Sequence, residues 1–157
     1  MSTIRAQIHR NAVAIISLFI ALSSLSYNSW RNETTEAQRN IRFASFRVLE
    51  SLGELQEVAD YRFYYLPFDA GDESEGQLRI RGYGAVSLIH DLTSLMPEPA
   101  PPAGEALFHL WNKHVDDLVD LNPQGKHSEK AKQAEQQINR AVKDARKAVL
   151  VLLKSLE

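Results

Sequence analysis

The chain has 157 residues, 44% of them hydrophobic and 24% charged, an ordinary composition for one folded domain with room for an appended segment. Its formal net charge of −2 excludes a general nucleic-acid binder, and the absence of cysteine excludes disulfides, thiolate catalysis and zinc–thiolate sites. The charge is unevenly placed: residues 1–30 hold Arg5, Arg10 and no acid, while the remainder carries 16 basic and 20 acidic residues.

Asn11 to Trp30 contains no charged residue, and twenty helical residues span about 30 Å, the hydrocarbon thickness of a bilayer. The anchor is predicted on Ala12, Val13, Ile15, Ile16, Leu18, Phe19, Ile20, Leu22 and Leu25, with Tyr27 and Trp30 at headgroup level. Arg5 and Arg10 flank one end and Arg31 the other. Serines 17, 23, 24 and 26 dilute the stretch, but a helical hydroxyl can bond back to the preceding turn. A cleaved secretion signal competes, with Ala21-Leu22-Ser23 as a small-x-small site, and so does a buried helix of a soluble fold. The helical pattern runs past Trp30 without a break, which favours the anchor. Basic residues are balanced across the span, and the acid-free tail against Glu33 and Glu36 tips the orientation towards N-in.

Beyond the anchor, Arg31 to Tyr65 reads as one amphipathic helix continuing from it as a rigid stalk. Ile41, Ala44, Val48, Leu52, Leu55 and Ala59 form its apolar face, widened by Phe46 and Leu49, and Glu50, Glu54 and Glu57 its polar face. Pro67 and the stretch Asp69 to Gly76 predict a solvated loop. A second helix is predicted from Leu78 to Met96, with Ile80, Tyr83, Val86, Ile89, Leu92 and Met96 on one side. Gly82 and Gly84 weaken it by up to about 1 kcal/mol each. Pro97 to Pro102 predicts a stiff extended connector. The third helix, Glu105 to Leu121, faces inward with Leu107, Phe108, Trp111, Val115, Leu118 and Val119, and Asn122-Pro123 stops it.

Ser128 reads as the N-cap of a fourth helix. Its seam, Ala131, Ala134, Ile138, Ala141, Ala145, Ala148, Leu152 and Leu156, permits close approach of a neighbouring helix. Ala148 to Leu153 is apolar all round and should be buried in the bundle or against a partner. The predicted architecture is therefore all-α: residues 1–10 a tail, 11–30 a single transmembrane helix, and 31–157 an antiparallel four-helix bundle.

Candidate sites are few. His109 and His114 project about 140° apart on a helix and cannot share a metal from one face. Asp116, Asp117 and Asp120 read as a solvated acidic face with local pairing to Lys113. Asp69, Asp72, Glu73 and Glu75 lack the alternation of a calcium loop, and Gly82-Tyr83-Gly84 is only a fragment of a dinucleotide fingerprint. Tyr61, Arg62, Tyr64 and Tyr65 are the side-chain types that dominate recognition surfaces, although aromatics also close bundle ends. With Ala141, Ala145 and Ala148, they form the predicted interaction set.

These features predict a non-enzymatic, membrane-anchored interaction, scaffold or accessory subunit of a bacterial inner membrane, with a periplasmic bundle. Lipid and a protein partner or second copy are its expected partners; no cofactor, metal or nucleic acid is expected. The alternative is an extracytoplasmic ligand-sensing bundle that signals through a partner, similar in layout to the four-helix domains of bacterial receptors but lacking their second span and signalling domain. An enzyme would need His109, His114, Asp116 and Asp120 to converge with residues of another helix.

Overall fold

A computed structural model describes residues 11–68 and 74–156. Four α-helices follow one another: α1 (Ala12–Tyr64), α2 (Glu75–Ser94), α3 (Ala100–His114) and α4 (Glu129–Ser155), with a 3₁₀ helix over Val115–Val119. By contacts the chain divides into two units, Met1–Asn40 and Ile41–Glu157. The expected tail, residues 1–10, lies outside the described residues.

In the first unit the described residues are helical from Ala12 onward. The apolar window near the N-terminus has a mean hydropathy of 1.6, and none of it is buried inside the protein. By length and composition it can cross a bilayer, and a secretion signal would have the same character. Beyond it, Thr34 and Thr35 donate their hydroxyls to the carbonyls of Trp30 and Arg31, at 2.9 and 2.8 Å. This is the back-bonding that keeps hydroxyl residues compatible with a helix.

The second unit is the bundle, all-α and built of four helices packed against one another. Its direction of travel reads from the cross-helix pairs. Arg62 at the end of α1 lies 3.7 Å from Glu75 at the start of α2, and His90 late in α2 lies 2.6 Å from Glu105 early in α3. Asp117, just after α3, meets Lys130 of α4 at 2.8 Å. Finally, Arg42 of α1 donates to the carbonyl of Leu156, immediately after α4, at 2.7 Å. Successive helices are therefore antiparallel, as the short connections require.

The core follows the 3.6-residue period. Val48, Leu52, Leu55 and Ala59 of α1 are buried with Val86 and Ile89 of α2, Leu107 and Trp111 of α3, and Ile138, Ala145 and Val149 of α4. Two glycines allow close approach of neighbours. A side chain at Gly82 would overlap the Trp111 ring, and one at Gly104 would overlap Thr93.

Several helix limits differ from expectation, each for a local reason. Ser74 caps α2 in a full capping box, its hydroxyl accepting from the Gln77 amide while the Gln77 side chain accepts from the Ser74 amide, so α2 starts before Leu78. The proline stretch is not wholly extended: Pro101 and Pro102 occupy the first turn of α3, where the missing N–H groups have no partner to lose. At its other end α3 tightens into 3₁₀ geometry after His114 and does not continue as α-helix to Leu121. Ser128 caps α4 as expected, accepting from the Ala131 amide at 3.1 Å.

Three apolar assignments are also corrected. Ile80 is 76% exposed because it lies two residues, or about 200°, from the buried Leu78 and Gly82. Phe46 is 63% exposed for the same reason relative to Val48. In the last turns of α4, Ala148, Val149 and Leu152 turn inward, whereas Leu150 and Val151 face outward.

Candidate functional site

A groove of about 520 Å³ lies between α1 and α4, lined mainly by polar and charged side chains. Gln56, Asp60 and Tyr64 line it from α1, and Glu135, Asn139, Val142, Lys143 and Arg146 from α4. On each helix the polar lining recurs at spacings of four, with Arg146 three residues after Lys143, which stacks it in one row along the axis. A chain of hydrogen bonds joins the two rows: Gln56 Nε2 donates to both Asp60 and Asn139, and Asn139 Nδ2 donates to Glu135. Val142, almost fully buried, gives the groove an apolar floor.

Charge in the groove is separated by sign. Asp60 and Glu135 stand with Tyr64 towards one end, whereas Lys143 and Arg146 lie towards the other. Among the described residues, neither carboxylate has a cation within ion-pair range, and neither cation has a carboxylate. Partial burial, then the charges of Glu135 and Asp60, push the Tyr64 phenol above its ordinary pKa. That end favours positive charge.

At the end of the bundle where α1 stops, Arg62 is fully buried, and its three guanidinium nitrogens have no hydrogen-bond partner among the described residues. Glu75 and Asp116 lie at 3.7 and 3.8 Å, within Coulombic but not hydrogen-bond range. Burial lowers the Arg62 pKa, and the charges of Glu75 and then Asp116 oppose it. Asp116 is more firmly held by Arg79, at 2.9 Å.

The predicted interaction residues are dispersed. Tyr64 and Tyr65 are exposed, Tyr61 is half-buried and stacks on Tyr65 at 5.4 Å, and Arg62 points inward. Ala141, Ala145 and Ala148 are buried, so the close approach they permit is used within the chain.

The histidines and aspartates do not converge. His109 meets Glu105 of its own helix at 2.6 Å, and His114 meets Asp117 at 3.2 Å. Hydrogen bonding to His90, then His109, holds Glu105 below the usual carboxylate range. The three aspartates pair beyond their own helix: Asp116 with Arg79, Asp117 with Lys130, and Asp120 with Ser128. Lys113, the expected partner, is in none of these pairs. The Lys130 hydrogen bond, reinforced by His114, depresses the Asp117 pKa. Asp69, Asp72 and Glu73 lie outside the described residues. Among the described residues no three His, Asp or Glu side chains are placed to hold a metal.

Sequence reasoning missed the groove. Its signal was the spacing of four shared by Gln56, Asp60 and Tyr64 and by Glu135, Asn139 and Lys143, which becomes a site only once the two helices are known to be neighbours. No family model matches the chain, and neither a curated protein nor a solved structure matches it.

Proposed function

We propose that the chain is a non-enzymatic, single-pass membrane protein whose helical bundle acts as an interaction or accessory subunit. The supporting observation is the apolar N-terminal helix, which has span length and no part of its apolar window covered by protein. Leaving such a surface in water would be strongly unfavourable, and lipid is the solvent it fits. The acid-free N-terminal tail supports an N-in orientation with the bundle on the periplasmic side of a bacterial inner membrane. The partner surface is the aromatic end of α1, where Tyr64 and Tyr65 stand exposed beside Tyr61. Binding, rather than chemistry, is favoured because His90, His109 and His114 are each already engaged by a carboxylate, and Asp116 and Asp117 by Arg79 and Lys130.

The test is fractionation of cells expressing the full chain, with an alkaline wash of the membranes, combined with C-terminal alkaline phosphatase and green fluorescent protein fusions. The expected result is full-length protein in the washed membranes, with only the phosphatase fusion active. Recovery of intact chain in the soluble fraction, or of a chain shortened by the apolar segment, overturns the anchor. Fluorescence from the second fusion with no phosphatase activity overturns the orientation.

A further inference from the structure

The α1–α4 groove has features that membrane tethering does not require. Its wall holds two carboxylates and, further along, two cations, none of them neutralised by a described residue. Glu135 precedes Lys143 and Arg146 by eight and eleven residues on α4, which places the opposite charges about 12 to 16 Å apart along the helix axis. Bringing such groups together in a concave site without pairing them leaves both ready for a ligand that carries the complementary charges.

The lining selects among ligand classes. A diamine meets repulsion at Lys143 and Arg146, and a dianion meets it at Asp60 and Glu135. A free amino acid carries both charges but separates them by only about 3–4 Å, too little to reach both ends. Three extended residues span about 10 Å and four about 13 Å, which matches once the lysine and arginine side chains lean inward. The middle of the groove fits as well. After their mutual hydrogen bonds, Gln56 keeps its Oε1 acceptor and Asn139 keeps one N–H donor. One acceptor and one donor are the complement of a peptide unit.

We propose that the groove binds an extended peptide of three to four residues with both termini free, its ammonium between Asp60 and Glu135 and its carboxylate at Lys143 and Arg146. The hydrogen-bonded row that links Asp60, Gln56, Asn139 and Glu135 holds the ammonium site in place before the ligand arrives. Binding is salt-dependent, because Lys143 and Arg146 are exposed.

The experiment uses the full ¹⁵N-labelled chain in detergent micelles, titrated with trialanine, its N-acetyl form, its C-terminal amide and free alanine. The side-chain amide resonances of Gln56 and Asn139 are followed. Trialanine is expected to give saturable shifts at both, and blocking either terminus to weaken binding tenfold or more. Lys143→Glu, at an exposed position that leaves the fold intact, should abolish preference for the free carboxylate. Glu135→Gln should weaken trialanine yet leave the N-acetyl form unchanged. The proposal is overturned by the absence of a saturable shift at millimolar trialanine, by equal affinity for blocked and free peptides, by alanine binding as well as trialanine, or by shifts confined to residues outside the groove.

Discussion

Two glycines of α2, Gly82 and Gly84, should respond oppositely to the same change. Both sit inside a helix, where alanine is favoured over glycine by about 1 kcal/mol. An added methyl at Gly84 meets no atom within 4 Å, so Gly84→Ala should stabilise by that full amount, about 1 kcal/mol. At Gly82 the methyl overlaps the Trp111 ring and stands 3.2 Å from Val58 Cγ1. Trp111 is 0% exposed and walled by core residues, so its ring cannot swing aside. Forcing a methyl into such a site costs about 1–3 kcal/mol. The helix-propensity gain is common to both substitutions, so the difference in stability between the two variants isolates the packing cost, about 1–3 kcal/mol with Gly82→Ala the weaker. The assay is urea unfolding of the full chain in micelles followed by far-ultraviolet circular dichroism, with Trp111 fluorescence as a second probe in a Trp30→Phe background. Equal stabilisation by both substitutions would show that Trp111 is not held against Gly82.

Two further outcomes follow from the buried polar groups. The His127 ring lies 3.9 Å from the Phe63 ring in a stack only 9° from parallel, and burial, with a contribution from Lys132, lowers its pKa. The unfolded chain therefore takes up this proton more readily. Its contribution to stability is complete above the ordinary histidine value of about 6.5 and is lost as the pH falls through that value towards the folded pKa. His127→Phe should flatten the change in urea midpoint between about pH 7.5 and about pH 5, and identical slopes for parent and variant would contradict the assignment. Arg62→Met should be at least as stable as the parent, because Asp116 keeps Arg79 at 2.9 Å and Glu75 is exposed enough to rehydrate. Arg62→Ala, which leaves a void, should lose about 2–4 kcal/mol in thermal unfolding, and an equal loss for methionine would show that the guanidinium itself stabilises the fold.

The architecture was legible because burial in a helical bundle obeys one period, and Val48, Leu52, Leu55 and Ala59 announce it without any knowledge of neighbours. Arg62 is instructive for the opposite reason. It continues the same stripe, three residues after Ala59, yet its charge and its tyrosine neighbours suggested an outward-facing recognition residue; the period placed it correctly and the residue type misled. Helix starts were legible where the cap stood next to an obvious break, as at Ser128. Ser74 was hidden inside a loop-like composition, and the prolines at 101 and 102 resemble a terminator although they are equally suited to a first turn. The groove and the ion pairs of Asp116 and Asp117 were beyond reach, because each joins residues on different elements and no period reports which helix lies beside which.

The segment that joins Asp120 to Ser128 is closed on itself. Asp120 and Ser128 are bonded through their side chains and backbones, and the Asn122 side chain accepts the amides of Gln124 and Lys126 at 3.0 Å each. Gly125 turns the tip with φ of 70°, and Pro123 to Lys126 are exposed. Foreign sequence spliced between Gln124 and Gly125 would thus begin and end beyond the clasp that sets the spacing of α3 and α4. An epitope or fluorophore carried there leaves the polypeptide's extremities unencumbered.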